Sequence, residues 1–106
     1  MKLLTAKIIN KACKQYQMGA ELEGQTIVAK FFDPCGSWVW YLMNLDDDLD
    51  YAWGIVNGLA LEMGSFSINE LQGIERPFGL GIERDRYFKP IPAKECWDRL
   101  SNGKHI

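Results

Sequence analysis

Histidine is almost missing from this chain of 106 residues: His105 is the only one. Ser-His and Cys-His catalytic machines need an imidazole beside the nucleophile, so a lone histidine next to the last residue argues against both. Long apolar runs are missing too. No stretch approaches the roughly 20 residues that span a bilayer, and residues 1–14 hold one short apolar patch broken by Lys7 rather than a signal-peptide core. Cysteine is scarce and odd in number. Cys13, Cys35 and Cys96 stand far apart without a CxxC pair, which predicts free thiols in a reducing cytoplasm rather than a disulfide framework. Net charge is small, at -2. That total argues against a nucleic-acid binder working by bulk positive charge, and equally against a heavily acidic DNA mimic. No repeat, low-complexity segment or linker divides the chain, so a single domain over residues 1–106 is expected.

Bulky apolar side chains are plentiful. The chain is 47% hydrophobic and 12% aromatic, with four Trp, five Phe and four Tyr. At this size about two-thirds of the unfolded chain's surface can be buried. The small net charge conceals a partition: residues 1–20 carry +4, residues 21–75 carry -9 with Lys30 their only base, and residues 76–106 carry +3. An acidic middle between basic ends either packs against those ends or presents faces of opposite sign.

Residues 5–17 read as a helix with Thr5 as N-cap and an apolar stripe of Ile8, Ile9, Ala12, Cys13 and Tyr16. Lys7, Lys11 and Lys14 fall on another face of it. Residues 26–32 and 37–45 read as a hairpin around a four-residue Asp33-Pro34-Cys35-Gly36 turn. Trp38, Trp40 and Leu42 face one way and Val39, Tyr41 and Met43 the other, as in a central strand covered on both sides. Strands over 51–58 and 60–66 complete a four-stranded antiparallel meander, and Gly54 inside the third predicts a bulge or a close approach. Ser67 and Glu70 match a capping box opening a short helix to Gly73. Residues 82–88 read as a strand or extended arm. Residues 93–101 read as a last helix with Ala93, Cys96, Trp97 and Leu100 inward and Gly103 as its stop. The expected fold class is α+β, a meander sheet packed with N-terminal and C-terminal helices.

Three clusters carry candidate chemistry. The acidic loop Asp46, Asp47, Asp48 and Asp50 lacks the ligand spacing and central Gly of a calcium loop. Glu83-Arg84-Asp85-Arg86 alternates sign; a salt-bridge ladder to the acidic middle is one reading, and anchoring a phosphate or partner carboxylate by Arg84 and Arg86 the other. Cys13, Cys35, Cys96 and His105 form an alternative zinc set without metal-site spacing. Four Trp are hard to hide in so small a chain, and an exposed one beside Arg has the composition of an interaction hot spot.

The later half of the chain resembles the small bacterial proteins of the domain of unknown function 2958 family. The matching pieces are Trp38, Asp46 to Asp48, Trp53-Gly54, Glu62-Met63-Gly64, and Ser67 with Glu70-Leu71. Gly79-Leu80-Gly81-Ile82-Glu83-Arg84-Asp85 with Phe88 closes the pattern, and the opening Lys2-Leu3-Leu4-Thr5 is also similar. The chain departs from the family after the aromatic-Gly pair, where Val56-Asn57-Gly58 stands in place of a segment that often holds an acid. The resemblance implies a small α+β domain common on plasmids, conjugative elements and phages, and it carries no catalytic assignment.

The functional expectation is a small non-enzymatic, cytoplasmic binding protein of a mobile element, inhibiting a host defence nuclease in the manner of an anti-CRISPR or anti-restriction protein. Asp46, Asp47, Asp48 and Asp50 would engage a basic groove on a protein partner, with Arg84, Arg86 and Trp53 as the further partner-binding residues. No cofactor and no membrane contact are expected. The alternatives are the zinc-bearing version of the same protein, a small enzyme using the acidic cluster with Arg84, and direct nucleic-acid binding through Lys7, Lys11, Lys14, Arg84 and Arg86.

Overall fold

A computed structural model describes residues 2–106. The elements run α1 (Ala6–Lys14), β1 (Thr26–Ile27), β2 (Ala29–Phe32), β3 (Val39–Leu45), β4 (Tyr51–Asn57), β5 (Leu61–Ser67), α2 (Ile68–Gly73), β6 (Glu83–Arg84), β7 (Ile91–Pro92) and α3 (Ala93–Ser101). The main sheet is antiparallel in the order β5-β4-β3-β2-β6, and β1 pairs with β7 in a separate ribbon. The expected meander is therefore present as β2 to β5, with β6 added along its β2 edge.

Alternation along β3 builds two cores. Trp40 and Leu42 join Ala12 of α1 and Ile68 and Leu71 of α2 on one face. Tyr41 and Met43 join Ala93 and Cys96 of α3 on the other, with Trp97 and Leu100 packed alongside. Helices from the two ends of the chain thus cover opposite faces of one sheet, as the stripe on β3 predicts.

The pairing slips once. Leu42 faces Gly54 and Asn44 faces Trp53, so Met43 is an extra residue without a partner on β4. This bulge shifts the alternation by one, and Leu45 returns to the face of Leu42. Gly54 permits it: a Cβ there would stand 2.0 Å from the Tyr41 main-chain oxygen. Side-chain amides hold the surroundings. Gln15 Nε2 donates to the Met43 and Thr26 carbonyls at 2.7 and 3.0 Å, tying the end of α1 to the bulge. Buried Asn44 donates to Gly19 O and to Gln25 Oε1, both at 2.8 Å, and fixes the connection from residue 19 to residue 25.

Three expectations change in detail. The strand over 26–32 divides at Val28, because Thr26–Ile27 pairs with β7 while Ala29–Phe32 pairs with β3 and β6. The β2–β3 loop spans 33–38 rather than four residues: the Asp33 N–H donates to Trp38 O, and the turn at 33–36 lies inside that wider closure. Of the arm over 82–88, only Glu83–Arg84 is strand. Asp85 then turns the chain, its carboxylate accepting the Tyr87 N–H at 2.9 Å and its carbonyl the Phe88 N–H at 3.3 Å.

Candidate functional site

The acidic loop is the β4 entry turn, and its four aspartates divide into two kinds. Asp46 Oδ1 accepts the N–H groups of Asp50 and Tyr51, each at 3.0 Å, closing the hairpin on itself. Asp50 Oδ1 accepts the Ser67 hydroxyl at 2.6 Å and the Asn69 N–H at 2.8 Å, while its carbonyl accepts the Ile68 N–H. Asp50 thereby caps α2 together with Ser67, whose hydroxyl accepts the Glu70 N–H. Asp47 and Asp48 are exposed at the tip. Leu49 beside them adopts φ 60, a left-handed conformation that costs a side chain roughly 1–2 kcal/mol.

The Asp50 carboxyl is held below its ordinary value of 3.8, first by the Ser67 hydroxyl and then by the Asn69 N–H. A carboxylate depressed in the folded state adds stability above its unfolded pKa and loses it as pH falls through the folded one. Asp50→Asn is therefore expected to be less stable than wild type at neutral pH, with the gap closing below about pH 4. Urea midpoints at neutral pH and near pH 3 check this; a constant gap would contradict it.

The basic ends of the chain meet. A cleft of about 370 Å³ is lined by Lys7 and Lys11 of α1 and by Arg84 and Arg86 of the arm, with Ile8, Val28, Ala29 and Phe88 supplying apolar surface. Lys7, Lys11 and Arg86 are exposed, and no ion pair among the described residues engages them. Arg84 Nη1 donates to the Lys2 carbonyl at 2.6 Å, so the arm is pinned to the N-terminal segment. Asp85 is the one acid in the lining, and Lys30 lies 3.8 Å from it. Beside this cleft is a second, of about 600 Å³, which shares Arg84, Asp85 and Arg86 and adds Lys30, Phe32, Tyr87 and a second acid, Glu83. Lys14 lines neither.

Other candidates are placed differently from the expectation. Trp53 is half-buried against the second core, edge-on to Tyr51 at 6.1 Å. The more open ring beside the acidic tip is Tyr51, and the most exposed tryptophan is Trp38 at 38%. Of the expected ladder from the arm to the acidic middle, the described residues show Asp85 with Lys30; Arg84 reaches the Lys2 carbonyl and Arg86 faces the clefts. Tyr87 is 91% exposed.

The zinc alternative is not assembled. Cys13 on α1 donates its thiol to the Asp46 carbonyl at 3.8 Å, Cys96 is buried in the core on the opposite face, and Cys35 and His105 are exposed elsewhere. Among the described residues no group of three or more His, Cys, Asp or Glu is placed to hold a metal ion. Burial pushes the Cys96 thiol up to about 12, and burial followed by Asp47 and Asp46 raises that of Cys13. Both are poor thiolate nucleophiles at neutral pH. No helix among the described residues is long and apolar enough to cross a membrane.

The chain belongs to the family described as protein of unknown function (DUF2958), matching it over residues 3–102, so the resemblance carried by the Trp38 to Phe88 motifs is borne out. No curated protein and no solved structure matches it.

Proposed function

We propose that this protein works by binding rather than by catalysis, and that its ligand is a nucleic acid whose phosphates enter the cleft between α1 and the arm. The observation that carries the reading is the convergence of Lys7, Lys11, Arg84 and Arg86 from the two ends of the chain on one recess. Exposed cations release counterions when phosphates replace solvent, and this supplies most non-specific affinity for nucleic acid. The exposed Arg86 guanidinium adds bidentate hydrogen bonds to phosphate, and the apolar lining strengthens each charge contact by lowering the local dielectric. The net charge of -2 does not oppose this, because the acidic residues 46–50 belong to the β4 entry turn and none of them lines the cleft. Binding is favoured over chemistry because the thiols of half-buried Cys13 and buried Cys96 are both shifted toward the neutral form, and Asp46 and Asp50 serve as acceptors for their own hairpin.

Fluorescence anisotropy with a labelled mixed-sequence oligonucleotide, single-stranded and as its duplex, tests the reading at low salt. Saturable binding of either form is expected. Absence of binding by both would remove it.

A second reading, inhibition of a host defence nuclease by protein contact, is favoured by the acidic tip. Asp46 and Asp50 hold the turn rigid, so Asp47, Asp48 and the strained Leu49 are presented in a fixed geometry. A rigid tip loses little entropy on docking into a basic groove. Asp47→Lys with Asp48→Lys leaves the hairpin bonds intact, and loss of nuclease inhibition with unchanged oligonucleotide binding would assign the function to the tip.

A further inference from the structure

The arm over residues 84–87 separates two recesses, one lined by Lys7, Lys11, Arg84 and Arg86 with Asp85 and the other by Lys30, Arg84 and Arg86 with Glu83 and Asp85, and carries an aromatic ring into the second. Arg84, Asp85 and Arg86 line both clefts, so the recesses form a continuous surface on either side of the arm. Tyr87 lines the second while remaining 91% exposed, which means its ring has almost no packing partner in the protein. Its backbone is nonetheless fixed: the Tyr87 N–H donates to Asp85 Oδ1 at 2.9 Å, the Asp85 N–H to Lys30 O at 2.9 Å, and the Phe88 N–H to Asp85 O. A bare aromatic ring on a fixed turn beside an arginine has the chemistry of a stacking platform. Base faces are open to such a ring only when the bases are unpaired, because a duplex buries them in its own stack.

Resting on the nucleic-acid reading above, we propose that the two clefts form one track for a single strand, with Lys7, Lys11 and Arg86 meeting phosphates and Tyr87 stacking on a base. Lys7 and Lys11 lie one helical turn apart on α1 and therefore face the same recess. Phosphate contacts give the track affinity without sequence choice, and the stack confines it to unpaired strands. An acidic peptide would satisfy the same cations but has no use for the ring.

The test compares labelled oligothymidylate, its duplex with oligoadenylate, and a polyglutamate peptide, using wild type, Tyr87→Ala and Tyr87→Phe. Thermal melting should be unchanged in both variants, since the side chain is almost wholly exposed. The expected result is single-strand affinity at least about tenfold above duplex, about tenfold weakening in Tyr87→Ala, and retention in Tyr87→Phe. Equal affinity for strand and duplex, or an unaffected Tyr87→Ala, overturns the single-strand track while leaving the cleft as a phosphate site. Preference for polyglutamate overturns it in favour of an acidic protein segment. Failure of both nucleic-acid forms to bind overturns this inference together with the reading beneath it.

Discussion

Gly54→Ala is expected to cost the protein about 3 kcal/mol or more, a large share of the 5–15 kcal/mol that typically holds a domain together. The added Cβ would sit 2.0 Å from the Tyr41 main-chain oxygen, where no contact is tolerated and no side chain can rotate away. Relief requires β3 and β4 to separate at the centre of the sheet. Those strands carry the bulge at Met43 and both cores, so the strain spreads to Leu42, Leu45 and Tyr41 at once. A fall in Tm of more than about 10 °C follows, and insolubility on expression is the extreme form of the same result. Gly73→Ala is the control: a Cβ there meets nothing within 4 Å, and its melting should match wild type closely. Were Gly54→Ala to melt like wild type, the β3–β4 register would not be as described.

The second large effect concerns binding. Lys7→Glu, Lys11→Glu and Arg86→Glu together are expected to lower affinity for an oligonucleotide more than about hundredfold, because each reversal loses one attraction and adds one repulsion. The fold should survive. All three side chains are exposed, and surface substitutions usually fall within about 0.5 kcal/mol. Glu at position 7 suits the first turn of α1 and Glu at position 11 opposes its last, so their effects on the helix roughly offset. Unchanged affinity in a variant that melts normally would remove the cleft from the account.

The meander and both long helices were legible because their signals are local. Alternation over 37–45 showed a strand covered on both faces, Thr5 and Ser67 marked helix starts, and Gly54 marked the close approach. What escaped depends on distant partners. β6 is two residues long and has no period to read; it is a strand only because Phe31 and Phe32 of β2 lie beside it. Val28 looks like the middle of a strand, and the division there is set by β7, some sixty residues later. The site was legible in its parts. Arg84, Arg86 and the helix lysines stood out as charge clusters, but their meeting is a tertiary fact. The aspartates of the loop carry identical sequence signals, and only the positions of Ser67, Asn69 and Tyr51 separate the structural pair Asp46 and Asp50 from the exposed Asp47 and Asp48.

The account turns on whether the converged basic ends are a phosphate site, and a salt series on the wild-type chain with labelled oligothymidylate measures that most directly. Each phosphate neutralised on a single strand contributes a slope of about -0.7 in log affinity against log salt, so three or four contacts give about -2 to -3. The account predicts that slope for wild type, and a value near zero for the triple glutamate variant where residual binding is measurable. A flat salt dependence in the wild type, or no binding at the lowest salt, would contradict it.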